Sequence, residues 1–404
     1  MSVKQHAVRS GPSYWKATGP EPIECPCLEG HVTCEAAVVG AGITGALVSD
    51  MLIQSGVDTV LVDRGAVGAG STAASTGLLL YEIDKPLIEL IQHVGERHAV
   101  HAYRRGVTAI LELEELTSEL GPQCDFVRRN ALYLASEPLD FIDLTSEHQC
   151  RQHFGFNVSL LSAEGLKTLC GLQAHGALYS TGDAEVNPYS LTHSLVTRAQ
   201  KNGLRAFAET RVIQTDDVAG GVKLQTDAGL IEAKQVVFAT GYFAAPILSS
   251  ASAELLTSYV VTSQPLPRID RWPDDCLIWE TADPYFYLRR TADGRAMIGG
   301  EDTPYSKDHQ DDQLLSEKAE RLAKRFRTMF PGSDFQPEYV WGGTFAETKD
   351  GLPFIGRAVG HDRIYHALGY GGNGITFSMI AARLIRDLIL RRPNDDADVF
   401  RFGR

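Results

Sequence analysis

The chain has 404 residues, of which 44% are hydrophobic and 22% charged, and its formal net charge is −13. This length suggests two domains, and the composition suits an ordinary soluble globular protein. The acidic excess argues against nucleic acid or an anionic membrane surface as partner.

Met1 to Pro20 is polar and has no apolar h-region, so no secretory leader is expected, and the longest nearly apolar run, Ala36 to Val48, is too short to span a bilayer. The seven cysteines are scattered. Their odd number favours reduced thiols and a cytoplasmic location. Cys25, Cys27 and Cys34 form the one cluster, but it lacks the spacing and partner residues of a metal site, so no metal is expected.

Residues 1–34 are aperiodic and read as an N-terminal surface arm. Ala36-Ala37-Val38-Val39 then reads as a short buried strand. Ile43, Leu47 and Met51 follow at helical spacing, and Gly56 stands where a C-terminal cap belongs. Thr59 to Asp63 is a second strand, which completes a βαβ unit. Leu87 to Leu120 is mostly helical in pattern, and Asn130 to Ser136 reads as a strand. Asn187-Pro188 starts a helix to about Lys201, with Asn187 as cap and Leu191, Leu195 and Ala199 on its core face. Arg205–Ala208 and Val236–Ala239 read as strands on either side of a hairpin-like stretch at Ala219-Gly220-Gly221. Tyr285–Arg289 and Ala296–Gly300 read as paired strands across a turn at Ala292-Asp293-Gly294. Gln313 to Met329 is a charged amphipathic helix. A final helix runs from Ile375 to about Arg391, capped by Asn373, with Ile380, Leu384 and Leu388 facing inward and Pro393 beyond.

Gly40-Ala41-Gly42-Ile43-Thr44-Gly45 lies between the first strand and the first helix. That is the context a GxGxxG turn needs to cradle a pyrophosphate at a helix N-terminus. Asp63 ends the second strand about twenty residues on, where an acid binds ribose hydroxyls. Arg64 to Gly77 is a second loop of small residues. Gly70 and Gly77 with Leu78 make a smooth wall, and Ser71 and Thr72 offer hydroxyls to phosphate or ribityl oxygens. Thr240 and Gly241 close a buried strand. Gly371, Gly372, Asn373, Gly374 and Ile375 run into the last helix, whose N-terminus would stabilise an anionic reduced flavin. The second loop and the C-terminal turn favour FAD over a nicotinamide cofactor.

With those stretches in this order, the chain resembles the D-amino-acid-oxidase-like family of FAD-dependent oxidoreductases, which includes glycine and sarcosine oxidases. The resemblance also takes in Glu185–Leu191, Phe238–Gly241, Asp293-Gly294-Arg295 and Thr348–Gly356. It covers nearly the whole chain and specifies no substrate. The arm Ser13-Tyr14-Trp15 is most similar to the γ-glutamylputrescine oxidase branch.

The resemblance implies an α/β fold, α+β overall. A glutathione-reductase-like FAD domain would be built from 35–85, 184–245 and 336–404. A substrate domain from 86–183 and 246–335 would roof the flavin with an antiparallel or mixed sheet. It also implies a backbone contact from Val212 to the adenine and a cofactor contact at Gly343. The implied reaction oxidises the C–N bond of a small amine or amino acid, with hydride passing to flavin N5 and the imine hydrolysing in water. The covalently flavinylated branches carry a Cys or a His that Trp341–Glu347 and Gly70–Gly77 lack, so non-covalent FAD is expected. The Lys that assists monomeric sarcosine oxidases with oxygen is absent from Ala296–Gly300. Oxygen and other electron acceptors therefore both stay open.

Tyr285, Tyr287 and Arg289 alternate along one roof strand. Arg289 is a candidate clamp for a substrate carboxylate, or an ion-paired structural arginine. Tyr287 and Tyr370 are candidates to position substrate, or packing residues, and Trp341 is either site wall or core. His93, His98 and His101 read as solvated helix positions. Two other functions remain open: oxidation of a C–O bond in a 2-hydroxy acid or alcohol, and a flavin-binding subunit without turnover.

Overall fold

A computed structural model describes residues 9–244, 253–306 and 311–404. The first eight residues of the arm and the domain boundary expected at 245/246 lie outside the described residues. Two large sheets organise the rest.

The first sheet has a parallel core. Strand Gly30–Val39 pairs in parallel with Gly229–Phe238 and Thr59–Val62, and the latter with Arg205–Phe207; Ile364–Leu368 joins Gly229–Phe238 in parallel. Parallel strands are covered on both faces, and the side chains here divide accordingly. Ala36, Val38 and Leu61 pack with the helices, whereas Ala37, Val39, Val60 and Val62 pack under the hairpin Val212–Val218/Gly221–Thr226. Helix Ile43–Gln54 fills the βαβ crossover, and helices Pro188–Lys201 and Gly374–Ile389 lie beside it. Three neighbours explain why it is buried on nearly every side, while Met51, expected on its core face, is only partly buried.

The second sheet is mixed. Glu254–Pro265 lies between Pro337–Glu347 and Arg295–Pro304, and Phe286–Arg290 and Leu277–Glu280 follow, all antiparallel. Leu277–Glu280 then pairs in parallel with Val127–Leu134, which pairs antiparallel with Gly176–Glu185. Helix Asp312–Met329 backs this sheet with Leu315, Ala319, Leu322 and Phe326.

Several elements differ from expectation. The arm is not wholly a surface feature: Arg9–Ser10 pairs with Gly342–Gly343 at the sheet edge, Tyr14–Thr18 is a helix, and Tyr14 and Trp15 are buried. The first strand begins at Gly30 because its first half pairs in register with Gly229–Ala233, contacts with no local signature. The long helical stretch is two helices, Leu87–Val94 and Glu96–Leu120, broken at Gly95. Asn187 does cap its helix, its Oδ1 accepting from Ser190 N at 3.0 Å. Asn373 does not: its Nδ2 donates to the carbonyls of Leu80 and Glu82 at 3.0 and 2.7 Å, which ties the last helix to a distant segment.

Candidate functional site

The turn after Val39 is built for close backbone approach. A Cβ on Gly45 would lie 1.7 Å from Gly40 O, so the helix can start against the strand end only with glycine there. Gly42 is the N-cap and makes no side-chain cap bond. The first turn of a helix leaves backbone donors unpaired. Thr72 Oγ1 takes one of them, from Ile43 N at 2.9 Å, which joins the two glycine-rich loops. Asp63 accepts from Ala41 N at 2.6 Å through Oδ2 and from Gly65 N at 2.9 Å through Oδ1. Burial pushes its carboxyl up, against those two N–H groups and Arg64, which favour the charge.

The second loop is held from behind by two indoles. Trp341 Nε1 donates to Ala74 O at 2.9 Å and Trp15 Nε1 to Ser75 O at 2.6 Å. Gly343 packs its α-carbon side against Ala74. The arm is fixed in turn by the Asp293-Gly294-Arg295 turn. Tyr14 Oη donates to Asp293 Oδ1 at 2.8 Å, Arg295 Nε binds Asp293 Oδ2 at 2.6 Å, and the Arg295 guanidinium also lies over the Tyr14 ring.

For Arg289 the geometry favours the second of the two expected readings, a structural arginine paired with an acid. It is 1% exposed and does not line the cavity described below. Its Nη1 donates to Thr76 O, Gly77 O and Val186 O at 3.2, 3.1 and 2.9 Å. Its Nε lies 3.3 Å from Glu185 Oε2, while Arg129 holds Glu185 Oε1 at 2.8 Å. The guanidinium sits 5.5 Å from the Trp15 ring centroid. Its Nη1 and Nε are engaged by protein groups and it lies off the cavity wall, so it supports the loop and does not face a substrate carboxylate.

The C-terminal turn meets a residue that motif reading passes over. Asp84 Oδ2 accepts from Gly372 N at 2.8 Å. Gly371 adopts φ +55°, and a Cβ there would lie 2.3 Å from the same oxygen. Asp84 lines the cavity and is itself exposed. Desolvation by the protein packed around it, with the charges of Glu347 and Asp302, raises its carboxyl to about 6.

One cavity of about 570 Å³ joins these parts. At one end it is walled by Asp63, Arg64, Arg211 and Val212. Its middle carries Gly40, Gly42, Ile43 and Thr44 facing Gly70, Ser71, Thr72 and Leu78, with Thr240 and Gly241 alongside. Gly371 to Ile375 and Gly343 flank the other end, which the mixed sheet roofs with Tyr287, Tyr285, Ser258 and Trp279, and Tyr370 stands at its side. Gly45 and Gly77 shape the backbone behind this wall without lining it. Ser258 Oγ and Tyr287 Oη lie 3.0 Å apart, and burial pushes the Tyr287 phenol well up, so it stays protonated at neutral pH.

Asp84, Ser258, Trp279, Tyr242 and Thr344 are wall residues that sequence reasoning missed. Ser258 and Val260 point inward at the period of a strand, a pattern readable only once the inward face is known. Asp84 carries no local signal, because its partner is 288 residues away.

The other candidates behave as bystanders. His93, His98 and His101 reach Glu89, Asp398 and Asp396. All seven cysteines are unpaired, and no metal-binding cluster occurs among the described residues. No helix among the described residues is long and apolar enough to cross a membrane.

A protein family described as "FAD dependent oxidoreductase" (DAO) matches residues 35–388. Among curated proteins, the chain is 26% identical over 368 residues to a glycine oxidase of Bacillus licheniformis, covering 89% of this chain and 94% of that one. It is 25% identical over 402 residues to the gamma-glutamylputrescine oxidoreductase of Escherichia coli K12, covering 96% and 91%. Among solved structures, the glycine oxidase from Geobacillus kaustophilus superposes with a TM-score of 0.78 at 21% identity, covering 92% of this chain and 99% of that one.

Proposed function

The chain belongs to the DAO family of FAD dependent oxidoreductases, and we propose that within it the enzyme oxidises the C–N bond of a small amine or amino acid. A single cavity runs from the dinucleotide cradle to the aromatic roof, so cofactor and substrate ends share one space, and the likeness over most of the chain to a glycine oxidase and a gamma-glutamylputrescine oxidoreductase is what favours C–N over C–O chemistry. The residues present fit FAD. The glycine turn and Thr72 would receive the pyrophosphate, Asp63 would meet the ribose, and Val212 would wall the adenine.

FAD, when bound, supplies the hydride acceptor. The protein contributes position and exclusion of water. Trp15, Trp341 and Arg289 hold the second loop in one shape, which fixes the wall against which the cofactor lies. Tyr285, Tyr287 and Trp279 confine the substrate over that wall. The reactive amine must be uncharged when its carbon gives up hydride, so its proton leaves to solvent before the step, and the imine product hydrolyses. Attachment of FAD is non-covalent in this reading, and no Cys or His occurs among the described residues that line the cavity. The electrons would pass from bound FAD to dioxygen or another acceptor.

The test is anaerobic bleaching of the purified yellow holoenzyme. Amines or amino acids should bleach it and 2-hydroxy acids should not. Bleaching by hydroxy acids alone would overturn the C–N reading, and flavin that no reductant in the panel bleaches would point to a non-catalytic subunit.

A further inference from the structure

Building on the C–N reading, we propose that the substrate is an amine that enters as a cation and carries no carboxylate, and that Asp84 is the counter-charge that selects it. The argument begins with the charges at the roof end of the cavity. Asp84 opens into it, held at the C-terminal turn by Gly372 N. Asp302 lies against Tyr285 and Ser258, which line the wall, and Glu347 is close enough to act on both acids. Of the acids among the described residues that line the cavity, Asp63 stands at the far end and Glu82 is held by Arg151 at 2.9 Å, so Asp84 is the carboxylate left to meet a ligand at this end, with Asp302 and Glu347 behind the wall.

The cations near them are already engaged. Lys318 Nζ sits on Glu301 O and Oε2 at 2.7 and 3.2 Å, and Lys85 Nζ on Glu89 at 2.9 Å. Among the described residues that line the cavity, the only basic side chains are Arg64 and Arg211, at the far end beside Asp63 and Val212. Arg289, the one arginine the roof strand could have offered, is turned into the protein.

An amino acid would place its carboxylate beside its reacting carbon, and so near Asp84, where no arginine or lysine side chain among the described residues lines the cavity to receive it. Desolvating an anion there is unfavourable, whereas a substrate cation is attracted to Asp84.

Two matched pairs of compounds test this on the holoenzyme. tert-Butylammonium has no hydrogen on its nitrogen-bearing carbon, so it can bind but cannot transfer hydride; pivalate is its carboxylate counterpart. Titrated against the flavin absorption spectrum, tert-butylammonium should bind at least about 10-fold tighter than pivalate, and Asp84→Asn should remove about 10-fold of that preference. n-Propylamine and 2-aminobutanoate differ only by the carboxylate. Propylamine should reduce the flavin with the higher kcat/KM, again by about 10-fold or more.

Tighter binding of pivalate, or faster reduction by either enantiomer of 2-aminobutanoate, overturns this proposal and leaves the C–N reading standing. Bleaching by 2-hydroxybutanoate and by neither nitrogen compound overturns both. If no compound in the panel turns over, the binding pair decides. Because both comparisons run on the unaltered protein, a misfolded variant does not protect the proposal.

Discussion

Trp15 donates its indole N–H to Ser75 O at 2.6 Å, which fastens a helix of the N-terminal arm to the loop that forms the cofactor wall. An element ahead of the first strand of the nucleotide-binding unit thus sets the shape of a site it does not line. The same indole lies under the Arg289 guanidinium, which binds Thr76 O and Gly77 O. Loop, arm and roof strand form one support.

Trp15→Phe keeps most of the packing and removes one hydrogen bond. It should cost about 1 kcal/mol and weaken FAD retention about five-fold. Trp15→Ala also leaves a cavity and should cost ~3–5 kcal/mol. Thermal unfolding and the FAD dissociation constant, read by flavin fluorescence, check both. Unchanged FAD affinity in Trp15→Ala would show that the arm does not hold the loop.

Arg289→Ala should behave as a structural lesion. It leaves three carbonyls short of a donor and Glu185 with Arg129 as its remaining cation. Breaking a buried pair of this kind costs ~3–5 kcal/mol. Lower Tm and loss of FAD are expected, and protein that retains flavin should show a near-normal KM. A raised KM with unchanged Tm and FAD content would restore the carboxylate-clamp role.

Gly45→Ala forces a methyl group toward Gly40 O, into a gap of 1.7 Å. Relief requires the helix to withdraw from the strand end, an overpacking cost of ~1–3 kcal/mol that falls on the cradle itself. The variant should purify pale, with reduced absorbance at the flavin band per protein.

Asp84 should give amine binding an acid limb near pH 6. Its carboxyl lies at about 6, raised first by burial and then by Glu347 and Asp302, while Gly372 N–H and Lys85 favour the charge. Below that pH it is protonated and attracts a cation less, so KM for a cationic amine should rise as pH falls from about 7 to 5. Asp84→Asn should flatten the limb. For stability the sign reverses. A carboxyl raised above its ordinary 3.8 makes the charged form unfavourable in the fold, so the penalty is absent below about pH 4 and fully present above 6. Asp84→Asn should therefore raise Tm at pH about 8 and leave it unchanged at pH about 4, with the Asn oxygen still accepting from Gly372 N. A limb that persists in Asp84→Asn assigns it to another group.

Acid precipitation should release the flavin into the supernatant. The expectation rests on a cavity wall without Cys or His among the described residues. Yellow pellet would show covalent attachment.

Elements whose signals are local were legible from the residues alone. A Gly-rich turn between apolar strand and helix, an acid at the next strand end and an Asn-Pro helix start were each legible within a few residues. The physical reason is that steric freedom at glycine, capping and strand burial act over one or two turns of chain. Tertiary structure decided the rest. Whether Arg289 met a substrate or the carbonyls of Thr76, Gly77 and Val186 depended on contacts 103 to 213 residues distant. Asn373 had the right type and place for a helix cap, yet it bonds Leu80 and Glu82 nearly three hundred residues earlier. Asp84 came to line the cavity because the fold placed it against Gly372, with Asp302 and Glu347 near enough to act on it. A side chain's chemistry is written in its residue type, but its partner and its exposure, which decide what that chemistry does, are properties of the assembled chain.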